Sequence, residues 1–532
     1  MSSTPAPAPA PAPAPVPAPA IADRPPPTFR QKAGFFAMIF GMFMAILDVQ
    51  IVASSLADIQ AGLSASIEEI SWVQTSYLIA EVVMIPLSGT LARILSTRVL
   101  FSLAALGFTV MSFACSLATS LEAMILARSL QGFFAGAMIP SIFSTAYTMF
   151  PRRSMGKVSV VIGLVATMGP TIGPTLGGFI TQALGWHWLF NINIIPGLIV
   201  AATVWSCIDI DQPEPAYLRG LDVSGLVALA TALGTLNYVL EEGPRNDWFE
   251  DQTIFRLAVL SAASGCVFFW RAFTYRQPIV DLRAFSDRNF ALGCFFSFVV
   301  GIGLFGSVYM TPLFLAQVRD YNALDIGIIM MVTGAFQFSV APLVGTLSGR
   351  MDLRLMLAFG FSLFCFALYL NSFLTAESSY WEFFVPQAVR GVSLMFCFVP
   401  VNRLALGTLA PDKLKNGAGL YNLMRNLGGA LGLAVINTLL VERGAHHLSY
   451  LSENLTLSRP EVQAYIDRLA ERLGDSLAGG VAGDPELAAM KLLFQLAQRE
   501  ALVMSFNDCL LLIGLTFGAA LIVMPLVKKP RD

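Results

Sequence analysis

Charged residues are scarce in this chain. Asp, Glu, Lys and Arg make up 13% of its 532 residues, whereas hydrophobic residues make up 55%. A typical soluble domain carries about 25% charged residues. A chain with so few charges cannot cover a surface that faces water. The composition therefore excludes an ordinary soluble protein and indicates that lipid surrounds much of the chain.

Residues that bind metals or perform common hydrolytic chemistry are also scarce. There are only 3 His, and the 7 Cys lie singly inside apolar segments. The sequence contains no GxxxxGK[ST] nucleotide-binding loop and no HExxH motif. We therefore predict that the protein is not an enzyme and binds no metal or cofactor, and that its cysteines are packing residues. The net charge of −2 does not indicate a nucleic-acid partner.

Long apolar segments, in contrast, are abundant. They begin after a Pro/Ala-rich stretch, which we predict to form a disordered cytoplasmic tail over residues 1–32. About 20 helical residues, rising about 1.5 Å each, cross the hydrocarbon layer. The pattern predicts an all-α membrane protein with fourteen spans, at 33–57, 71–92, 98–119, 121–149, 158–181, 190–208, 223–241, 254–273, 290–316, 324–348, 354–374, 380–407, 416–440 and 503–527.

The charges of the loops alternate along the chain. Arg152, Arg153 and Lys157 follow the fourth span, whereas Glu241 and Glu242 end the seventh. The positive-inside rule places basic loops in the cytoplasm. We therefore predict a multi-pass protein with both termini cytoplasmic.

Two short motifs recur in the second half of the chain. PLSGTLAR at residues 86–93 returns as PLVGTLSGR at 342–350, and RSLQG at 128–132 is echoed by QAVRG at 387–391. The separation is about 256–262 residues, as expected of a duplicated transporter. We predict a six-helix bundle at 33–208, a linker with two inserted helices at 209–273, a second six-helix bundle at 274–527 and a cytoplasmic tail at 528–532.

Three ionisable residues lie deep in predicted spans of the first half. Asp48, Glu81 and Arg128 are about 14, 15 and 10 Å from the outer ends of their helices, at about 1.5 Å per residue. Charges at such depth are expensive and usually functional. One interpretation is a buried ion-pair network that fixes helix contacts. The other is a proton site, because two neighbouring carboxylates and one Arg can exchange a proton between the membrane faces.

The second half contributes polar residues at similar depth. They either bind a polar group of a substrate or form hydrogen bonds between helices. Apolar rings near them could line a cavity for an amphipathic compound. Our substrate-cavity candidates over both halves are Gln50, Tyr77, Gln131, Phe305, Phe336, Gln337, Arg390, Asn402, Asn422 and Arg425.

The fifth span contains a regular pattern of glycine and proline. Glycines at positions i, i+4 and i+8 form one flat helical face that permits close approach of another helix. Two prolines remove backbone donors and bend the helix. We predict a hinge formed by Gly169, Pro170, Gly173, Pro174, Gly177 and Gly178.

These motifs resemble the major facilitator superfamily. The fifth span is similar to its antiporter motif, RSLQG to its fourth-span motif, and LDVQIV at 47–52 to the first-span signature of its fourteen-span drug:proton antiporters. The segments at 186–197 and 278–290 also resemble that branch, above all the EmrB-type exporters. The resemblance covers residues 33 to 527.

The resemblance implies proton-driven efflux of amphipathic drugs across the bacterial inner membrane by alternating access between two bundles, and hence antibiotic resistance. Asp48 and Arg128 take the family roles in proton coupling. The sequence departs from the family at Arg93, where an Asp is usual, and at Gln50, which replaces a small hydroxyl residue. The first departure leaves the gating charge pair of the family in doubt. Glu81 has no counterpart in the general pattern.

The long polar segment at 441–500 is predicted to lie outside the membrane. Its residues 460–473 and 485–499 have helical periodicity. They form either two solvated short helices or a docking surface. The resemblance implies a periplasmic adaptor of the EmrA type and an outer-membrane channel as partners. Two alternatives remain for the function: a dedicated exporter of an endogenous metabolite such as a fatty acid or siderophore, and a membrane receptor or scaffold.

Overall fold

The computed structural model describes residues 26–66, 69–275, 277–477 and 485–528. Three sequence predictions fall at least partly on other residues: most of the Pro/Ala tail, the middle of the 441–500 segment and nearly all of the C-terminal tail. These parts lie outside the described residues.

The described chain consists of helices and connecting turns, without a β-strand in those ranges. Apolar residues dominate the long helices, and side-chain caps such as those of Thr28, Ser120 and Asn322 begin several of them. The α-helices are α1 (Phe29–Ala53), α2 (Leu56–Leu63), α3 (Trp72–Leu95), α4 (Thr97–Ser116), α5 (Leu121–Met149), α6 (Met155–Leu184), α7 (Trp188–Asn191), α8 (Ile194–Cys207), α9 (Val223–Glu242), α10 (Gln252–Thr274), α11 (Arg288–Arg319), α12 (Ala323–Leu347), α13 (Leu353–Asn371), α14 (Tyr380–Leu406), α15 (Leu414–Asn454), α16 (Pro460–Leu477) and α17 (Pro485–Val523).

Fourteen segments of the described chain are long and apolar enough to cross a membrane. This confirms the predicted fold class and number of spans. The sixth span is formed by α7 and α8 together, while α2 and α16 are additional helices that do not span. Fourteen crossings place the start of α1 and the end of α17 on one face, which we call the terminal face. The connection that contains α16 lies at the opposite face.

The 441–500 segment differs from the expectation of two separate short helices. One of them is α16, but α15 continues as a single helix to Asn454 and α17 already begins at Pro485. Residues 485–499 are therefore the first turns of the last spanning helix. Hydropathy marks only the part of a helix that lies in lipid, and no proline interrupts either helix beyond that part.

The duplication is visible in two equivalent helix crossings. A Cβ atom on Gly132 of α5 would lie 2.2 Å from the Tyr77 carbonyl oxygen of α3. A Cβ atom on Gly391 of α14 would lie 2.4 Å from the Thr333 carbonyl oxygen of α12. Glycine is required at both places because the backbones touch. Tyr77 and Thr333 are 256 residues apart and the two glycines are 259 apart, so the crossings are related by the repeat.

The two inserted helices lie beside this pair of bundles. Helix α9 packs against both α3 and α15, one helix from each half, whereas α10 packs mainly against α9. An ion pair between Arg271 Nη2 and Asp222 Oδ1, at 2.7 Å, joins the inserted helices to each other. The Trp248 indole N–H donates to Thr438 Oγ1 of α15 at 2.9 Å.

Candidate functional site

A fully buried polar cluster centres on Asp48 of α1. Arg128 Nη1 of α5 lies 2.5 Å from Asp48 Oδ2. The other carboxylate oxygen accepts hydrogen bonds from Gln131 Nε2 at 3.2 Å and from Asn193 Nδ2 at 2.8 Å. Neither Asp48 nor Arg128 has any solvent exposure. Three donors from two other spans therefore meet at the Asp48 carboxylate. The sequence grouped Asp48 with Arg128 and Glu81, and it gave Gln131 only as a cavity candidate.

Other contacts fix the Arg128 side chain. Its Nε donates to the Val73 carbonyl oxygen at 3.1 Å, and Nη1 also donates to Gln131 Oε1 at 2.8 Å. The guanidinium lies 4.2 Å from the centre of the Tyr77 ring, a cation–π distance. Its Nη2 atom is buried and has no hydrogen-bond partner among the described residues. These contacts thus fix the Arg128 side chain, while Nη2 remains a hydrogen-bond donor without an acceptor among the described residues.

Sequence inspection missed Asn193 and Ser112. Asn193 is 4% exposed and donates from one amide nitrogen to both Asp48 Oδ1 and, at 3.1 Å, Ser112 Oγ. Ser112 donates in turn to the Phe190 carbonyl oxygen at 2.9 Å. The only signal for Asn193 was its place in the 186–197 segment that resembles the exporter branch. Ser112 gave no signal, because serine is common in membrane helices.

Glu81 does not belong to the Asp48 cluster. It lies on α3, one turn after Tyr77, and is 8% exposed. Among the described residues its side chain has no hydrogen bond or ion pair. Helix α3 packs against α5, which carries Arg128, and against α15 of the second half, which carries Arg425. Glu81 therefore lies on a helix that contacts both halves.

The second half has a buried cluster around Arg390 of α14. Its Nη1 donates to the Ser307 carbonyl oxygen at 2.9 Å, and its Nη2 donates to Thr333 Oγ1 at 3.1 Å. Gln387 joins the cluster by accepting from Thr333 Oγ1 at 2.7 Å and donating to Thr311 Oγ1 at 3.3 Å. No carboxylate among the described residues pairs with Arg390 in this cluster.

Arg425 lies between the halves, in contact with aromatic rings of both. Its Nη2 is 2.5 Å from Asn422 Oδ1, and its guanidinium is 5.6 Å from the Phe143 ring and 5.4 Å from the Phe398 ring. Its Nη1 is buried without a hydrogen-bond partner among the described residues. Asn422 also donates to the Ala418 carbonyl oxygen, so its amide is fixed within α15.

The remaining cavity candidates are dispersed. Asn402 accepts a hydrogen bond from the Tyr147 hydroxyl at 2.8 Å, which joins α14 to α5 near the terminal face. Gln337 is fully buried, and neither atom of its amide has a partner among the described residues. Phe305 packs beside Gly429, and Phe336 packs beside Gly391. The structure thus places these four residues apart from the Asp48 cluster.

The glycine face of the fifth span packs against α1. Cβ atoms on Gly169, Gly173 and Gly177 would lie 2.6, 2.3 and 2.4 Å from atoms of Ile46, Gln50 and Ser54, respectively. Gln50 is thereby placed against α6. Another face of α6 meets α12 of the second half, where Gly327 and Gly334 lie close to Thr175 and Thr171. Pro170, Pro174 and Gly178 lie within the continuous helix α6, and their role as a hinge stays a prediction.

Comparison with known proteins places this geometry in a family. The family model described as Major Facilitator Superfamily matches residues 38–433. The colistin resistance protein EmrB of Acinetobacter baumannii is 42% identical over 90% of this chain and 93% of its own length. The multidrug export protein EmrB of Escherichia coli is 28% identical over 82% of this chain and 85% of its own.

Solved structures agree in fold. The human organic anion transporter TETRAN aligns with a TM-score of 0.56 at 12% identity, covering 93% of this chain and 100% of its own. A bacterial homologue of the human lysosomal transporter Spinster aligns with a TM-score of 0.52 at 15% identity, covering 94% of this chain and 98% of its own. The chain therefore belongs to the major facilitator superfamily, and it is an EmrB-like member of that superfamily.

Proposed function

We propose that this protein is a transporter, not an enzyme, and that it exports amphipathic drugs and related toxic compounds in exchange for protons. The observation that supports proton coupling is the Asp48–Arg128 pair, in which a fully buried carboxylate accepts from Arg128, Gln131 and Asn193. The names of the EmrB relatives support drugs as the cargo.

Protonation of Asp48 changes the contacts of its neighbours. A protonated carboxyl no longer attracts the Arg128 guanidinium, and its new O–H needs an acceptor. Gln131 Oε1, which now accepts from Arg128 Nη1 at 2.8 Å, is an acceptor in the same cluster. Asp48 and Gln131 lie on α1 and α5, so the proton alters the contact between two spans. α1 also packs on the glycine face of α6, which in turn meets the second half.

A dedicated exporter of an endogenous metabolite is a second candidate for the same site. The fatty acid resistance protein FarB of Neisseria gonorrhoeae is 29% identical over 78% of this chain and 82% of its own length. A fatty acid is an amphipathic anion, and Arg390 and Arg425 are buried cations without a hydrogen-bonded carboxylate among the described residues. A flux screen that includes long-chain fatty acids separates the two candidates.

We further propose that the terminal face is cytoplasmic in the bacterial inner membrane and that the opposite face binds a periplasmic adaptor, which connects to an outer-membrane channel. Val462 and Ile466 of α16 form a small core with Ala489 of α17. The helices around that core, and the turn between α15 and α16, leave large apolar side chains exposed: Tyr450, Leu457, Tyr465, Leu487 and Phe494. Such exposed residues favour a protein partner at this end.

The transport proposal is tested in liposomes. An inward proton gradient is imposed, and substrate flux is compared for wild type, Asp48→Asn and Asp508→Asn. Asp48→Asn should lose gradient-driven flux, whereas Asp508→Asn, which changes a carboxylate that is 35% exposed at the opposite face, should retain it. Gradient-independent flux in wild type and Asp48→Asn alike would exclude proton coupling. Absence of any flux in wild type, with every substrate tried, would favour a receptor or scaffold.

The adaptor proposal needs a separate measurement. Replacing Tyr465, Leu487 and Phe494 by serine removes exposed apolar side chains but leaves the Val462 and Ile466 core intact. We expect the triple variant to fold, to transport in liposomes and to lose co-purification with a candidate adaptor. Undiminished co-purification would remove this surface from the proposed interface.

A further inference from the structure

An ion pair joins the two halves at the terminal face. Lys415 Nζ, at the start of α15 in the second half, lies 2.5 Å from Asp211 Oδ2. Asp211 belongs to the segment between α8 and α9, which follows the last span of the first half. The Lys415 and Asp211 side chains are 18% and 15% exposed. The pair is thus largely shielded from water, which strengthens it relative to a surface salt bridge.

The Asp211 carboxylate is fixed at the beginning of α4. The Thr97 backbone N–H lies 3.0 Å from each carboxylate oxygen, and the Thr97 hydroxyl donates to Oδ2 at 2.7 Å. Thr97 is the first residue of α4. The positive end of a helix dipole favours an anion at this position. Asp211 therefore belongs structurally to the first half.

The Lys415 ammonium has a complementary environment. Its Nζ also donates to the Ala92 carbonyl oxygen at 2.9 Å, in the last turn of α3, where carbonyl groups favour a cation. The helices must be in contact for this bond to form. A Cβ atom on Gly89 would lie 2.8 Å from the Lys415 carbonyl oxygen. The ion pair is thus available only while α3 and α15 touch at the terminal face.

The segment that contains Asp211 contacts the end of α3 in the first half, at the terminal face. The Glu214 N–H donates to the Arg93 carbonyl oxygen at 3.0 Å, and the Arg93 guanidinium lies 5.8 Å from the Tyr217 ring. Arg93 itself donates to the Asp412 carbonyl oxygen of the second half. Arg93 occupies the position at which the sequence lacks the expected acid. The acid at this contact comes instead from the linker.

The two halves also touch at the terminal face through α6 and α12, and this contact consists mainly of close backbone approach. A Cβ atom on Gly156 would lie 2.9 Å from the Gly345 carbonyl oxygen and 2.5 Å from Ser348 Oγ, so close backbone contact joins the helices there. Lys157, beside this contact, is exposed and has no ion pair among the described residues. The α3–α15 contact thus adds a charge pair between the halves to its close backbone approach.

We propose that Asp211 and Lys415 form a gate pair that keeps the terminal face closed, and that Asp211 replaces the acid absent at Arg93. Opening this face separates α3 from α15, so Lys415 must leave both Asp211 and the Ala92 carbonyl group. The inference rests on alternating access within the proposed function. It concerns positioning of the two halves, and neither residue needs to contact substrate.

The gate pair is tested by electron–electron distance measurements in nanodiscs. Spin labels replace the exposed residues Arg153 and Arg350, one from each half at the terminal face, in full-length protein whose native cysteines are replaced. We expect Asp211→Asn and Lys415→Gln each to increase the ratio of long-distance to short-distance populations by about threefold to tenfold. Unchanged distance distributions in both variants would overturn the proposal.

Two further variants distinguish loss of the Asp211–Lys415 interaction from a general effect of substitution at this face. The exchange Asp211→Lys with Lys415→Asp should restore closure only in part, because each charge then faces the wrong end of a helix. Lys157→Gln should match wild type. An exchanged variant as open as the single variants, or a Lys157→Gln variant equally open, would overturn the pairing. The distances require neither substrate nor a proton gradient, so failure of the transport assay leaves this test intact.

Discussion

The two buried arginine clusters occupy equivalent places in the two halves, yet only one contains an acid. Aligning Gly132 with Gly391 places Gln131 at the position of Arg390, and Arg128 at the position of Gln387. The Arg and Gln positions are therefore interchanged between the two halves. Within each half the two residues are three positions apart, which is about one helical turn. In the first half both contact the Asp48 carboxylate. In the second half they contact Thr311 and Thr333 hydroxyls and the Ser307 carbonyl group.

The two halves therefore share the helix packing around each arginine but differ in the chemical groups that contact it. The helix crossings that position both clusters are alike, since each needs a glycine against a carbonyl oxygen. A carboxylate can bind and release a proton, whereas a hydroxyl and a carbonyl group near Arg390 cannot do so at physiological pH. The duplicated framework therefore supports a titratable site in the first half and a fixed cation in the second.

The largest expected effect is that of removing each arginine. Arg128→Gln leaves a buried Asp48 without its cation, and breaking a buried pair in this way costs about 3–5 kcal/mol. Arg390→Gln removes only hydrogen bonds to neutral groups, and this loss costs about 1–3 kcal/mol of stability. We expect Arg128→Gln to abolish proton-driven flux and to lower the melting temperature more than Arg390→Gln. Thermal melting in detergent and liposome flux measure the two effects.

Lysine substitutions provide the control for that comparison. Arg128→Lys keeps a positive charge but cannot reproduce the Val73 and Gln131 bonds together with stacking on Tyr77. It should recover stability more than flux. Equal losses of stability and flux for Arg128→Gln and Arg390→Gln would contradict the assigned asymmetry.

Glycine substitutions at the two crossings should affect both halves similarly in stability. A methyl group at Gly132 or Gly391 would overlap a carbonyl oxygen, and such overpacking costs about 1–3 kcal/mol. The melting temperatures of Gly132→Ala and Gly391→Ala should therefore fall by comparable amounts. Flux should fall further for Gly132→Ala, because its neighbour Tyr77 lies against Arg128. A larger loss of flux for Gly391→Ala would show that transport depends more on the Arg390 cluster than on the Asp48 cluster, contrary to this prediction.

The sequence predicted the framework well because lipid imposes strong constraints. Fourteen apolar segments could be counted directly. The spacing of the glycines at 169, 173 and 177 indicated a face for close helix contact, although it did not identify α1 as the partner. The Asp48–Arg128 pair followed from depth, since charges in lipid need partners. Helix ends were less predictable: α15 and α17 extend beyond the lipid, where hydropathy no longer distinguishes a helix from a loop.

The partners that complete the sites could not be predicted. Asn193 meets Asp48 across 145 residues of sequence, and Asp211 meets Lys415 across 204. Depth alone also grouped Glu81 with Asp48 and Arg128, although no hydrogen bond or ion pair joins Glu81 to either of them among the described residues. Depth specifies a layer of the membrane, whereas contact depends on which face of each helix is presented and on how the helices pack.

Asn193 provides a prediction of intermediate size. Asn193→Ala removes a hydrogen bond to the Asp48 carboxylate, which stabilises the charged form by about 1–3 kcal/mol. We expect flux to fall several-fold and its pH profile to move to higher pH, because Asp48 then binds its proton more readily. Asn237→Ala is the matched control, since Asn237 is equally buried on α9 but its amide nitrogen has no partner among the described residues. Identical pH profiles for wild type and Asn193→Ala would remove Asn193 from the proton site.

The smallest effect is expected at Glu81, which is related to Gln337 by the same 256-residue separation as Tyr77 and Thr333. Glu81→Gln makes the halves alike at this position and breaks no hydrogen bond among the described residues. Stability should therefore change by no more than about 0.5 kcal/mol. Flux should fall by a few-fold at most, because no hydrogen bond or ion pair among the described residues depends on the Glu81 charge. Gln337→Leu is the control for an uncharged position of the same depth. Complete loss of proton-driven flux in Glu81→Gln, with normal melting, would show that proton coupling needs a carboxylate facing the second half as well as Asp48.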